Sequence, residues 1–320
     1  MLYFLNKNNI LQIIISVLLF GWAVFTIFTQ MTLCPPEGQT LVYQQWFEFG
    51  QLHPLNYKII AVVWVLLVSL LIQLFFNRNR FSETPTLMPI LFCLLFLNLG
   101  KFTTFFSPAY FTILLTTLVI LFNAQDNNEK PMKNRVFASG ILIGLTTLAD
   151  PNALWIALFL MLALFTNNYS KAKEICILFA GLLMVAIYTF TYFFLSDKLP
   201  LLGETIKHLQ FFNIIRDIKS ISVLNWVLVS FLLFSLIYLV AILKLYFDNK
   251  LIVLRKRFVT TVVLLVIMLI IVLFANLNIH QALLYLIIPI TLFYSILSQI
   301  KRRRLWHDLI TITFMVLLCL

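Results

Sequence analysis

Between Lys58 and Asn77 the chain reads IIAVVWVLLVSLLIQLFF, residues 59–76, with no charge along its length and only a serine and a glutamine among its polar side chains. The hydrocarbon core of a bilayer is about 30 Å thick and takes about 20 apolar residues of helix to cross. This stretch therefore predicts a membrane-crossing helix. Segments of the same kind recur at 10–29, 86–100, 107–123, 136–149, 152–167, 175–195, 222–245, 258–276, 282–299 and 305–320. The predicted fold class is all-α: a polytopic transmembrane helical bundle of about 11 helices that fills residues 1–320 as one integral membrane domain. The segments flanking Lys101 and Asp150 are short, so each pair is also readable as a hairpin that enters without fully crossing.

Composition gives the same class. Hydrophobic residues make up 62% of the chain, charged residues 11%, and the mean hydropathy is +1.00, whereas a soluble domain carries about 25% charged residues. The longest polar-containing stretches, about 30–58 and 196–221, are read as outer loops and are too short to build a core of their own. Ile10 to Thr29 has few charges before it and no small-residue cleavage site after it, so it is read as a retained first span rather than a removed leader. Cys34, Cys93, Cys176 and Cys319 include no CxxC, and no histidine pair stands at metal-ligand spacing, so no metal or redox cofactor is expected.

Lys and Arg fix an orientation. With the N-terminus cytoplasmic, alternate loops place 17 of the 23 on that side: Lys7, Arg78, Arg80, Lys130, Lys133, Arg135, Lys171, Lys173, Lys244, Lys250, Arg255 to Arg257 and Lys301 to Arg304. Lys58, Lys101, Lys198, Lys207, Arg216 and Lys219 remain outside. That is the positive-inside pattern of a multi-pass inner-membrane protein. The net charge of +11 is thus a topology signal joined to attraction for anionic lipid headgroups, and no soluble basic module exists to take a nucleic acid.

Local chemistry marks several turns. Thr84-Pro85, Ser107-Pro108 and Asp150-Pro151 each place a capping side chain before a proline, the order expected at a helix start. Gly140 and Gly144 form GxxxG, which allows close approach of a second helix. Pro289 should kink its span. Phe211, Ile214, Ile215 and Ile218 fall on one face between Leu201 and Ile221, as in a helix lying in the outer interface. Leu41 to Phe49 mixes Tyr43, Trp46, Phe47 and Phe49 with Gln44, Gln45 and Glu48 in the same manner.

Chemistry-bearing side chains on the outer side are few: Glu37, Glu48, His53, Lys101, Asp150, Asp197, Glu204, His208, Asp217 and His280. Ionisable groups at membrane depth are costly and mark cavities or pathways, which singles out Lys101, Asp150 and His280 in very short turns. Glu37, Glu48, His53, Lys101 and Asp150 are expected to enclose an outer-face polar pocket. In the alternative reading Asp150 only caps the helix after Pro151 and Lys101 only snorkels. No GxSxG, HExxH, Walker loop or paired outer carboxylates occurs, so no catalytic residue is assigned.

Two resemblances follow from quoted residues. The run from Arg135 through Gly140, Gly144, Asp150, Pro151 and Trp155 to Phe159 resembles a segment of the GT-C superfamily, polytopic glycosyltransferases that use polyprenyl-phosphate sugars. That likeness implies a GT-C-like architecture, though Glu37 and Glu48 stand apart rather than in the acidic pairing of those enzymes. The first outer loop with Pro36-Glu37, the turn Asn79-Arg80-Phe81, Phe106-Ser107-Pro108, the glycine helix and Tyr192 to Pro200 together resemble an uncharacterised family of Bacteroidota membrane proteins, sometimes mislabelled as a β-carotene monooxygenase. That label is not adopted, because such chemistry needs clustered histidines on iron and the four here are scattered. Three functions fit: a non-enzymatic subunit or scaffold of a cell-envelope assembly, a GT-C-like protein handling a polyprenyl-phosphate-linked glycan on the outer face, or a transporter or lipid flippase. Expected partners are membrane lipid, other envelope proteins and, in the second reading, the polyprenyl-linked substrate.

Overall fold

Long apolar runs favour helices, which satisfy their backbone polar groups within the segment. A computed structural model describes residues 8–33, 41–82, 85–123, 132–166, 172–197, 237–244, 246–247, 252–274, 284–300, 308 and 311–313. The interfacial helix expected within 201–221 and most of the spans expected at 222–245 and 305–320 lie outside them, as do Cys34, Glu37, His208, His280 and Lys301 to Arg304.

The described elements are α1 (Asn9–Gln30), α2 (Leu41–Leu52), α3 (Pro54–Arg78), α4 (Met88–Leu99), α5 (Ala109–Asn123), α6 (Met132–Ala149), α7 (Trp155–Thr166), α8 (Ala172–Leu195), α9 (Ile252–Phe274) and α10 (Ile287–Leu297). Three of them, α1, α3 and α8, are long and apolar enough to cross a membrane. At 1.5 Å per residue, α4 and α7 are each only about 18 Å long, short of the hydrocarbon thickness.

The described surface is rich in apolar side chains, which is compatible with a membrane protein. Phe179, Leu183, Ile187, Phe190, Phe194 and Leu195 of α8 are exposed, as are Ile10, Ile14, Val17, Leu18 and Phe25 of α1. Each would forfeit about 1.5–3 kcal/mol of burial in water and forfeits nothing in lipid. The opposite extreme is α10, buried at every residue and packed against α3, α4 and α9. It is the centre of the described bundle.

Helix contacts follow small residues. A Cβ on Gly140 would lie 2.5 Å from the Leu178 carbonyl oxygen, and one on Gly181 would lie 2.6 Å from that of Phe137. The backbones of α6 and α8 therefore touch where these glycines meet, as the GxxxG reading expects, and Gly144 faces Val185 one turn along.

One end of the bundle is fastened by polar ties. Thr32 and Leu33 pair in parallel with Phe105 and Phe106. Thr26 and Thr103 share a 2.8 Å hydrogen bond, the Tyr57 hydroxyl donates to the Met31 carbonyl at 2.9 Å, and the Trp64 indole donates to the Tyr110 carbonyl at 2.6 Å. These groups would otherwise be orphaned by burial.

The proline at 289 disturbs its span locally, and three other local expectations change. Pro289 lies in the first turn of α10, and the helix is interrupted just before it: Tyr285 is helical, Leu286 is a turn residue with φ −79° and ψ −5°, and the helix resumes at Ile287. The cause is that proline cannot bond the carbonyl four residues back, which belongs to Tyr285. Ser107 caps nothing, since its hydroxyl is buried without a hydrogen bond. At the start of α4 it is Thr86 whose hydroxyl accepts from the Met88 N–H, at 3.3 Å, while Thr84 lies outside the described residues. Arg255, Lys256 and Arg257, expected in a loop, sit inside the first turns of α9.

Candidate functional site

Asp150 ends α6 and begins the 3-10 turn Pro151–Leu154, with φ −144° and ψ 104°. That extended backbone is the N-cap conformation, and the carboxylate occupies the cap: Oδ1 accepts from the Asn152 N–H at 3.1 Å and from its Nδ2 at 3.2 Å. Proline at the next position removes a donor that would have been unsatisfied. The Asp-Pro-Asn order thus builds half of the site locally.

The other half arrives from distant sequence. Oδ2 accepts hydrogen bonds from the hydroxyls of Thr112, on α5, and Tyr285, just before α10. Thr112 and Tyr285 are fully buried and Asp150 is 2% exposed. Burial pushes the Asp150 carboxyl above its ordinary value, against the pull of the hydrogen bonds from Thr112, Tyr285 and Asn152. Among the described residues the carboxyl is held by four donors and no cation, a tie between three parts of the chain.

Over the same region lies α2. Trp46 packs on Phe111 with ring centroids 5.6 Å apart, and Phe111 precedes Thr112. The helix also contacts α6, whose last residue adjoins Asp150. Gly50 is pressed against Leu33, while Phe49 and Leu52 remain exposed. One side of α2 packs on the bundle and the other presents aromatic and aliphatic side chains, as in an interfacial helix.

The remaining residues of the expected pocket are placed as follows. Glu48 is exposed on α2. His53 is exposed between α2 and α3, its ring 5.1 Å from that of Phe49. Lys101 is exposed with φ 54°, ending α4 in the left-handed region, and its carbonyl accepts from the Thr104 hydroxyl at 2.6 Å. Glu37 lies outside the described residues. Lys101 is not among the partners of the Asp150 carboxylate, which are Thr112, Asn152 and Tyr285.

Thr112, Asn152 and Tyr285 are the members that sequence reasoning did not name. Thr112 and Thr116 repeat at helical spacing in an otherwise apolar segment, a visible polar stripe. Nothing local distinguishes Tyr285 from the other tyrosines. Among the described residues no cluster of three His, Cys, Asp or Glu side chains is disposed to hold a metal ion. Compared with protein-family models, curated proteins and solved structures, the chain has no significant match in any of the three.

Proposed function

We propose that the chain is a multi-pass inner-membrane protein of about eleven spans with a cytoplasmic N-terminus. We further propose that it serves as a non-enzymatic subunit or scaffold of a cell-envelope assembly. One observation carries this reading: Asp150, the only buried acid of the expected pocket among the described residues, has both carboxylate oxygens occupied by internal donors. A general acid or base needs a free face within reach of the substrate, and a carboxyl saturated by its own chain instead stabilises a helix junction.

A second reading, a GT-C-like protein handling a polyprenyl-phosphate-linked glycan, is favoured by α2, an amphipathic cover beside a buried carboxyl. The two separate on substitution. Asparagine caps as well as aspartate but carries no charge. In a deletion strain, Asp150→Asn, Glu37→Gln and Glu48→Gln should each complement fully under the scaffold reading. Loss of complementation at unchanged protein level by any of them would transfer the function to the glycan-handling alternative.

A further inference from the structure

The turn after α3 and the start of α9 are far apart in sequence and adjacent in space. The Arg257 guanidinium donates through Nη1 to the Asn79 carbonyl oxygen at 2.8 Å, across 178 residues. A buried aromatic ladder holds the two segments in register: Phe81 meets Phe247 with centroids 6.3 Å apart, and Phe247 stacks on Phe258 at 4.9 Å. Phe81 follows Arg80 and Phe258 follows Arg257, so the ladder fixes the basic side chains beside it. Five cations, Arg78, Arg80, Arg255, Lys256 and Arg257, thus lie within two residues of a single hydrogen bond.

Three physical costs are gathered here. Like charges repel, and the helix dipole puts further positive potential on the first turns of α9, where three cations stand and the first turn holds no acid. The turn itself is a Schellman motif: Phe81 N–H donates to the Phe76 carbonyl at 3.4 Å, Arg80 N–H to the Asn77 carbonyl at 3.1 Å, and the rings of Phe76 and Phe81 pack at 5.6 Å. Its left-handed position, φ 51°, is the one glycine fills without strain, and here it holds Arg80. Arg257 is offset by the carbonyl end of α3. Arg78, Arg80, Arg255 and Lys256 have no carboxylate partner among the described residues, and the first three are exposed.

We propose that Arg78, Arg80, Arg255 and Lys256 form a binding site for the phosphate of an anionic bilayer lipid. Guanidinium groups match phosphate oxygens with paired donors, and an anion at this point offsets the repulsion and the dipole beside the strained backbone of Arg80. The lipid is the source because the site sits at the end of α3, one of the helices long and apolar enough to cross a bilayer, where headgroups are concentrated. The inference needs the bundle to lie in a bilayer and is independent of the scaffold role, so complementation results leave it standing.

The test uses the full chain purified in a neutral detergent. Adding phosphatidylglycerol should raise the melting temperature and leave lipid bound in native mass spectrometry, while phosphatidylcholine and inorganic phosphate at matched concentrations should do neither. The pair Arg80→Gly and Arg255→Gln should lower retained lipid about tenfold, against no change for Arg302→Gln with Arg303→Gln, which removes equal charge from another basic cluster. Arg80→Gly alone should melt higher than the parent without lipid, since strain is relieved, which separates lost binding from lost folding. Equal loss in both pairs, no preference for phosphatidylglycerol, full effect from inorganic phosphate, or a lower melting temperature for Arg80→Gly would each overturn the proposal.

Discussion

Asp150 shows what one carboxyl does when both ends of its chemistry are filled. Asp150→Ala removes a cap and strands the buried hydroxyls of Thr112 and Tyr285, so it should cost about 3 kcal/mol in a detergent unfolding titration. Tyr285→Phe removes a single donor and should cost about 1–2 kcal/mol. Because burial holds the carboxyl above its unfolded value, the folded chain binds the proton more tightly. Stability should therefore rise as pH falls through the folded value toward the ordinary carboxylate range and be lost as pH climbs back through it. Asp150→Asn should flatten that dependence, and an unchanged slope in the variant would assign it to another group. Half of this site was legible in the sequence: an aspartate before a proline is a local signal and reads as a cap. Thr112 and Tyr285 stand 38 and 135 residues from Asp150, and no periodicity or charge ties either one to it.

Among the helices, the contact between α6 and α8 was half legible for the same reason. The pair Gly140 and Gly144 announces a close crossing, whereas Gly181 is a lone glycine in an apolar run and gives no sign that it is the partner. The two sides of the crossing differ in what they can yield. A methyl on Gly140 meets backbone, the Leu178 carbonyl oxygen at 2.5 Å, while one on Gly144 meets the Val185 side chain at 2.9 Å. Gly140→Ala should lower stability by about 1–3 kcal/mol and exceed the cost of Gly144→Ala, measured by melting in detergent. The reverse order would mean that the helices slide apart as freely at one glycine as at the other. Pro289 was legible as a local disturbance of its span, because a proline cannot bond the carbonyl four residues back. The disturbance falls at Leu286, a turn residue between helical Tyr285 and Ile287.

For the whole molecule, the helical class was legible from composition, with 62% hydrophobic and 11% charged residues, and three of the described helices are long and apolar enough to cross a membrane. The interior was not legible: a membrane helix is apolar on its lipid face and its protein face alike, so hydropathy does not single out α10 as the buried one. The proposed topology predicts that reporter fusions after Lys171 and after Lys219 report opposite compartments, and equal signals would defeat the orientation and the span count together. The bond from Tyr285 to Asp150 also sets an order of events in synthesis. At about 5–20 residues per second, the ribosome makes Tyr285 roughly 7–27 s after Asp150. For that interval the carboxyl waits with one of its donors unmade. The nascent bundle is thus closed by one of its later segments, and a chain cut short before that tyrosine lacks one of the four donors to the Asp150 carboxyl.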